Sequence, residues 1–299
     1  MSAPDTGSMR RAAIASVGVS LLLVALKTFG FFATYSVAML ASLADSALDL
    51  FTATLNLFAV RSALTPADAE HRFGHGKAEP LAGLAQGAFI AASAMFLVIQ
   101  AVERLITPQP VPHSLIALGV MGISILCAIA LILYERRVVA RTGSVAIAAD
   151  QTHYLADLAT NVGVIIALFL SAWLHWELAD PIIALMVACV LVWSAWTVFV
   201  PSYDQLMDHE LPESDRAKIK AIVRGHAQVR SLHDLRTRSA GLNTFIQLHL
   251  ELDPQMDLLQ AHEISDAVER DVCAAFPGAE IIIHQDPAGV ETPPPLDRT

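Results

Sequence analysis

The sequence predicts a membrane domain made wholly of α-helix, with six spans, followed by a separate α+β domain of order α-β-β-α-β. Three observations carry this. The 299 residues are 55% hydrophobic and only 16% charged, against roughly 25% charged in an ordinary soluble domain. The apolar residues are gathered into six runs long enough to cross a hydrocarbon core of about 30 Å at about 1.5 Å per helical residue. Beyond Ser202 the composition turns abruptly polar and charged.

The first span covers residues 12–32, too long for a signal-peptide core and without a small-x-small cleavage site, so it reads as a retained span after a short N-terminal tail, 1–11. Its Lys27 is the only basic residue within a span. The second span, 35–60, contains Asp45 and Asp49; the third, 81–102, and the fourth, 114–134, carry no acid or base in the stretches facing lipid, Glu103 and Arg104 lying just beyond the third. The fifth, 144–174, carries Asp150, His153 and Asp157, and the sixth, 181–200, is again uncharged. Together the spans form a domain of residues 12–208. An even number of spans leaves both termini on one side. That side holds Arg10, Arg11, Arg61, Arg72, Lys77, Arg136, Arg137 and Arg141, the other only Arg104. The positive-inside rule makes the termini cytoplasmic, as expected for a multi-pass protein of a cell (inner) membrane.

The second domain, 209–290, reads as a helix over 213–225, a strand over 231–238 and a strand over 244–252. In that second strand Ile246, Leu248, Leu250 and Leu252 alternate with Phe245, Gln247, His249 and Glu251, the pattern of a half-buried strand. Helical period over 258–276, a Pro277-Gly278 turn and a short strand over 279–286 complete the order. The proline-rich end, 291–299, reads as unstructured.

Nineteen Lys and Arg against 29 Asp and Glu give a formal charge of −10, which argues against nucleic acid as a partner and for small cations. Cys127, Cys189 and Cys273 form no CxxC pair, which argues against a disulfide framework or thiolate zinc site and for a metal held by His and carboxylate.

An ionisable side chain at bilayer depth costs at least ~2.5 kcal/mol on insertion scales and marks a functional site by default. Asp45 and Asp49 are spaced i, i+4, and so are His153 and Asp157, which stacks each pair on one helix face. Two such clamps facing each other supply four O and N ligands, suited to Zn²⁺ and open to Fe²⁺, Mn²⁺ or Cd²⁺. Polar locking of helices is the alternative, but one lysine cannot neutralise three carboxylates, so protons or a metal must carry the rest. Asn56 and Asn161 serve either as supporting groups or as interhelical contacts, and Asp150 fits the mouth of the site. In the loop between spans two and three, Asp68, His71 and His75 are spaced to close on one cation, with Glu70 a competitor for the acid role; a solvated charged loop would read similarly. In the second domain His233, His249, His262, His284 and Asp286 fall within a short stretch, the last two on one face of a strand. His113, His175, His209 and His226 lack a partner at ligand spacing and read as surface or interface residues.

Asp45-x-x-x-Asp49, His153-x-x-x-Asp157, the loop run from His71 to Glu79, and the segments 233–238 and 282–287 together resemble the cation diffusion facilitator family, in particular its bacterial ferrous-iron and zinc efflux branch. The resemblance covers residues 11–287. It implies a homodimer in the lipid bilayer, a metallochaperone-like cytoplasmic domain and exchange of a divalent metal for protons. It also implies roles: Asp45, Asp49, His153 and Asp157 as the transport site; Asp68, His71 and His75 as a loop site; His233, His249, His262, His284 and Asp286 as a binuclear site at the dimer interface; and Lys77 with Asp208 as an ion pair near the membrane. Zn²⁺ is the expected metal, both carried and regulatory, with Fe²⁺, Cd²⁺ and Mn²⁺ as alternatives. A metalloprotease would need an HExxH helix, which the sequence lacks, so no enzyme is expected. A membrane-anchored metal sensor that transports nothing would leave the intramembrane acids and His153 without a purpose.

Overall fold

The computed structural model of the protein describes residues 6–34, 37–106, 115–174 and 179–290. The expected unstructured tail, 291–299, together with His113 and His175, lies outside the described residues. The chain divides into two compact units between Tyr203 and Asp204.

Six long helices build the first unit: α1 (Thr6–Thr34), α2 (Val37–Ala63), α3 (Ala78–Ile106), α4 (Leu115–Thr142), α5 (Val145–Leu174) and α6 (Ala179–Leu206). Among the described residues α1, α2, α3 and α6 are long and apolar enough to cross a membrane. Large apolar side chains such as Phe29, Phe58, Met95, Leu126, Trp193 and Trp196 face outward, an arrangement suited to lipid rather than water. The interior is lined instead by small residues, among them Ala13, Ala53, Ala94, Ala101, Ala149 and Ala156. With no hydrophobic driving force between helices in lipid, such residues let backbones approach closely.

Several helices run past the apolar stretches read from sequence. α1 begins at Thr6, α4 continues through Glu135, Arg136 and Arg137 to Thr142, and α6 continues through Pro201 to Leu206. Hydropathy marks only the part that suits hydrocarbon, whereas backbone hydrogen bonding continues for as long as the residues tolerate helix. α5 is the hub, packing against α1, α2, α3 and α4. Its entry is fixed locally. Gly143 ends α4 in the left-handed region (φ 67°), with its N–H on the Val139 carbonyl at 2.8 Å. Ser144 then caps α5 by accepting the Ile147 N–H at 3.3 Å. Buried Glu79 of α3 accepts from the Ser144 hydroxyl (3.1 Å) and the Val145 N–H (3.2 Å), a carboxylate placed where the helix dipole favours it.

The second unit contains α7 (Glu213–Arg224), β1 (Ser231–Ala240), β2 (Asn243–Leu252), α8 (Leu258–Ala275) and β3 (Glu280–Pro287). β1 and β2 form an antiparallel hairpin, and β3 joins β2 in parallel in a sheet of order β1-β2-β3. The parallel pairing requires a crossover, which α8 supplies, opened by Asp257 accepting the Gln260 N–H at 2.8 Å. The core joins Ile219 and Val223 of α7, the alternate residues Ile246, Leu248, Leu250 and Leu252 of β2, and Ile264, Val268 and Val272 of α8. Leu250 is fully buried there. Leu250→Ala is expected to destabilise a fragment of residues 209–290 by about 2–5 kcal/mol, the range for leucine truncation in a packed core; urea denaturation followed by circular dichroism measures it.

Candidate metal sites

Side chains of α2 and α5 meet inside the helical unit. His153 Nε2 lies 3.2 Å from Asp49 Oδ1 and 3.7 Å from Asp157 Oδ2, and the three residues offer ligand atoms within 4.8 Å of one another. His153 is buried and Asp157 is about one-third exposed. The ring of His153 is backed edge-on by Tyr154, whose hydroxyl bonds Ser20 (2.6 Å) and Ser16 (3.2 Å) of α1 and so fixes this face of α5. Asp45, the fourth residue expected here, is exposed and lies outside that group. Lys27 donates to Ser46 at 2.6 Å and lies within electrostatic reach of Asp45, Asp49 and Asp157. Asn56 is buried with neither amide atom hydrogen-bonded to a described residue, whereas Asn161 is half-buried. An imidazole flanked by carboxylates is a donor set for a divalent cation of the Zn²⁺ kind.

The loop between α2 and α3 folds around Asp68. Its Oδ1 accepts the N–H groups of His71 (2.7 Å) and Glu70 (2.9 Å), and these bonds, the one from His71 foremost, hold the exposed carboxyl below the usual carboxylate range. Gly74 adopts φ 76°, and its N–H turns back onto the His71 carbonyl at 2.9 Å. The turn brings the two imidazoles to 4.5 Å between centroids. His71 Nδ1 and His75 Nε2 then face the Asp68 oxygens at 3.4 and 3.5 Å. Glu70 stands outside this group.

In the second unit the strand register lines up His233 with His249 and His249 with His284, a single row across three strands on the face opposite the apolar core. Buried Asp286 sits beneath the row. One of its oxygens lies 2.7 Å from His249 Nδ1 and 3.4 Å from His233 Nε2, the other 3.1 Å from His284 Nε2. Two acids missed by the sequence reading join them: Glu251, 3.3 Å from His233, and Asp234, 3.8 Å from His249. Both were visible in principle, since Glu251 shares the polar face of β2 with His249 and Asp234 adjoins His233. His262, on α8, is exposed, pairs with Asp266 at 3.6 Å and is not part of the row. Asp208 pairs with Arg238 at 3.2 Å. Of the other histidines, His226 pairs with Asp271 at 3.1 Å, and His209 Nδ1 lies 2.9 Å from the Glu210 carbonyl oxygen.

Asp286 touches every histidine of the row, so Asp286→Asn is expected to weaken Zn²⁺ binding by residues 209–290. The loss should be roughly tenfold or more, since even outer partners of metal ligands are worth that much. Isothermal calorimetry on the fragment reads it directly.

Residues 13–207 match the family model described as the cation efflux transmembrane domain, and residues 211–288 that of the cation efflux protein, cytoplasmic domain. The cation-efflux pump FieF of Salmonella arizonae is 42% identical over 280 residues, covering 94% of this chain and 93% of that protein. FieF of Shewanella oneidensis is 44% identical over 283 residues, with 95% of each covered. Among solved structures, CzrB in its zinc form matches 28% of this chain and 98% of its own at 35% identity, with a TM-score of 0.26. A helical membrane domain and a cytoplasmic α+β domain, each matched over nearly its whole length, make this chain a member of the cation efflux family: a transporter of metal cations rather than an enzyme.

Proposed function

We propose that the protein exports Zn²⁺, with Fe²⁺, Cd²⁺ and Mn²⁺ as lesser substrates, from the cytoplasm in exchange for protons. The observation that carries this reading is the cluster of Asp49, His153 and Asp157 within the helical unit. When the metal leaves, carboxylates and an imidazole in a low-dielectric setting must take up protons. When metal returns, it displaces them. A protein that opens this one site alternately to each side therefore couples the two flows without a separate proton path, and an inward proton gradient drives metal out. Asp45, one turn from Asp49 on α2, supplies the fourth ligand when its side chain turns inward.

All six helices span the inner membrane in this reading, with both termini cytoplasmic, and two copies form a homodimer. Asp68, His71 and His75 form a second, surface site. The histidine row with Asp286 is a regulatory Zn²⁺ site, completed by His262 at the contact between the cytoplasmic domains of the two copies. Proteoliposomes loaded with a metal indicator and a pH dye, with the membrane potential clamped, test the central claim. Zn²⁺ flux should rise with an imposed proton gradient and move protons the opposite way. Flux that ignores the gradient makes the protein a uniporter, and no flux at all makes it a sensor.

A further inference from the structure

One turn before His153, α5 carries a second buried acid outside the metal cluster. Asp150 is fully buried; Gln86 of α3 donates to its Oδ1 at 2.9 Å, and its Oδ2 has no donor. The side chain that meets it is Glu135 of α4, also fully buried, with neither carboxyl oxygen receiving a hydrogen bond from any described residue. Two acceptors thus face each other in the interior with no donor between them. Two carboxylates so placed cannot both be ionised, and one proton held between them supplies the missing donor.

We propose that Glu135 and Asp150 form a proton-binding site, separate from the metal ligands, that gives up its shared proton when a divalent cation occupies the cluster at Asp49, His153 and Asp157. The coupling is electrostatic. Residues 150 and 153 are stacked on one helix face, so a doubly charged cation beside His153 opposes a proton on the neighbouring pair with little solvent to screen it. Among the described residues no basic side chain hydrogen-bonds to Glu135.

The titratable groups facing the pair are few. His153 and Tyr154 on α5 lie within electrostatic reach of Asp150, and Tyr154 is also within reach of Glu135. From α3 comes neutral Gln86, while Glu79 of that helix is taken up by Ser144 and Val145. α1 offers the hydroxyls of Ser16 and Ser20 to Tyr154 and keeps Arg10 and Arg11 exposed at its start; α2 offers Asp49 to His153. Arg136 and Arg137, beside Glu135 on α4, point to solvent or headgroups.

The inference rests on the proposed exchange, and the test separates the two. Full-length protein in detergent is titrated with Zn²⁺ in weak buffer containing a pH dye, and infrared difference spectra follow the carbonyl stretch of protonated carboxyls. Glu135→Gln keeps the side chain's shape and supplies an N–H to Asp150, so the helices should stay packed; Asp150→Asn is the reciprocal change. Each variant should still bind Zn²⁺ and should release about one proton fewer per metal than wild type. A protonated-carboxyl band that fades on Zn²⁺ addition in wild type should be missing from Glu135→Gln. Wild-type proton release that both variants leave intact overturns this inference alone. Wild-type binding without any proton release overturns the exchange reading and this inference with it.

Discussion

Replacing Asp157 by alanine is expected to abolish Zn²⁺ flux in proteoliposomes, by at least ~100-fold, because even outer partners of metal ligands are worth roughly 10–100-fold and this change removes a ligand. The helix should survive it. Asp157 is about one-third exposed and, among the described residues, its ion pair is with His153 on its own helix at 3.7 Å, while His153 keeps its contact with Asp49 at 3.2 Å. Alanine also raises helix propensity over aspartate. Insertion and oligomeric state, read by size-exclusion chromatography, should therefore match wild type. A variant that retains wild-type flux would remove Asp157 from the transport site.

His153→Asp is expected to shift selectivity toward Mn²⁺ rather than remove function. With Asp49 and Asp157 already in place, the change leaves an all-oxygen site, harder and more anionic, which disfavours Zn²⁺ relative to Mn²⁺. The ratio of Mn²⁺ to Zn²⁺ flux should rise roughly tenfold or more, the free energy of exchanging one borderline nitrogen for one hard oxygen being on the order of 1–2 kcal/mol. An unchanged ratio would mean that the imidazole does not choose the metal.

Much of the architecture was legible because a bilayer imposes length and apolarity on anything that crosses it. The ends of α1, α4 and α6 were not, since leaving hydrocarbon does not end a helix. The spacing of Asp49, His153 and Asp157 gave their helix faces, and those faces do meet. Spacing could not say that Asp45 stays outside the group, because a shared face does not set a side chain's rotamer. In the loop, the choice between Asp68 and Glu70 fell to backbone donors: the N–H groups of Glu70 and His71 converge on Asp68. The alternation of β2 put His249 opposite the core, but the alignment of His233, His249 and His284 depends on strand register, which hairpin geometry and α8 determine over a longer range than any local pattern.

Pairing of β1 with β2 advances by three residues on β1 from His233 to Arg236 but by two on β2, from His249 to Gln247. Asp234 sits at this bulge with φ 49°, a conformation uncommon for anything but glycine. Its carboxylate reaches Arg236 at 2.8 Å and His249 at 3.8 Å. Deleting Asp234 would leave His233 on the histidine face and Leu235 in the core, since neighbours on a regular strand point opposite ways. A shorter chain would thus make an unbroken ladder with the same inward and outward faces. Asp234 is a residue the sheet does not require, kept in a costly backbone conformation, and the place to look for its purpose is the row of imidazoles beside it. Chains that lack it would be the natural comparison, sheet for sheet, of what one extra carboxylate does to the metal held there.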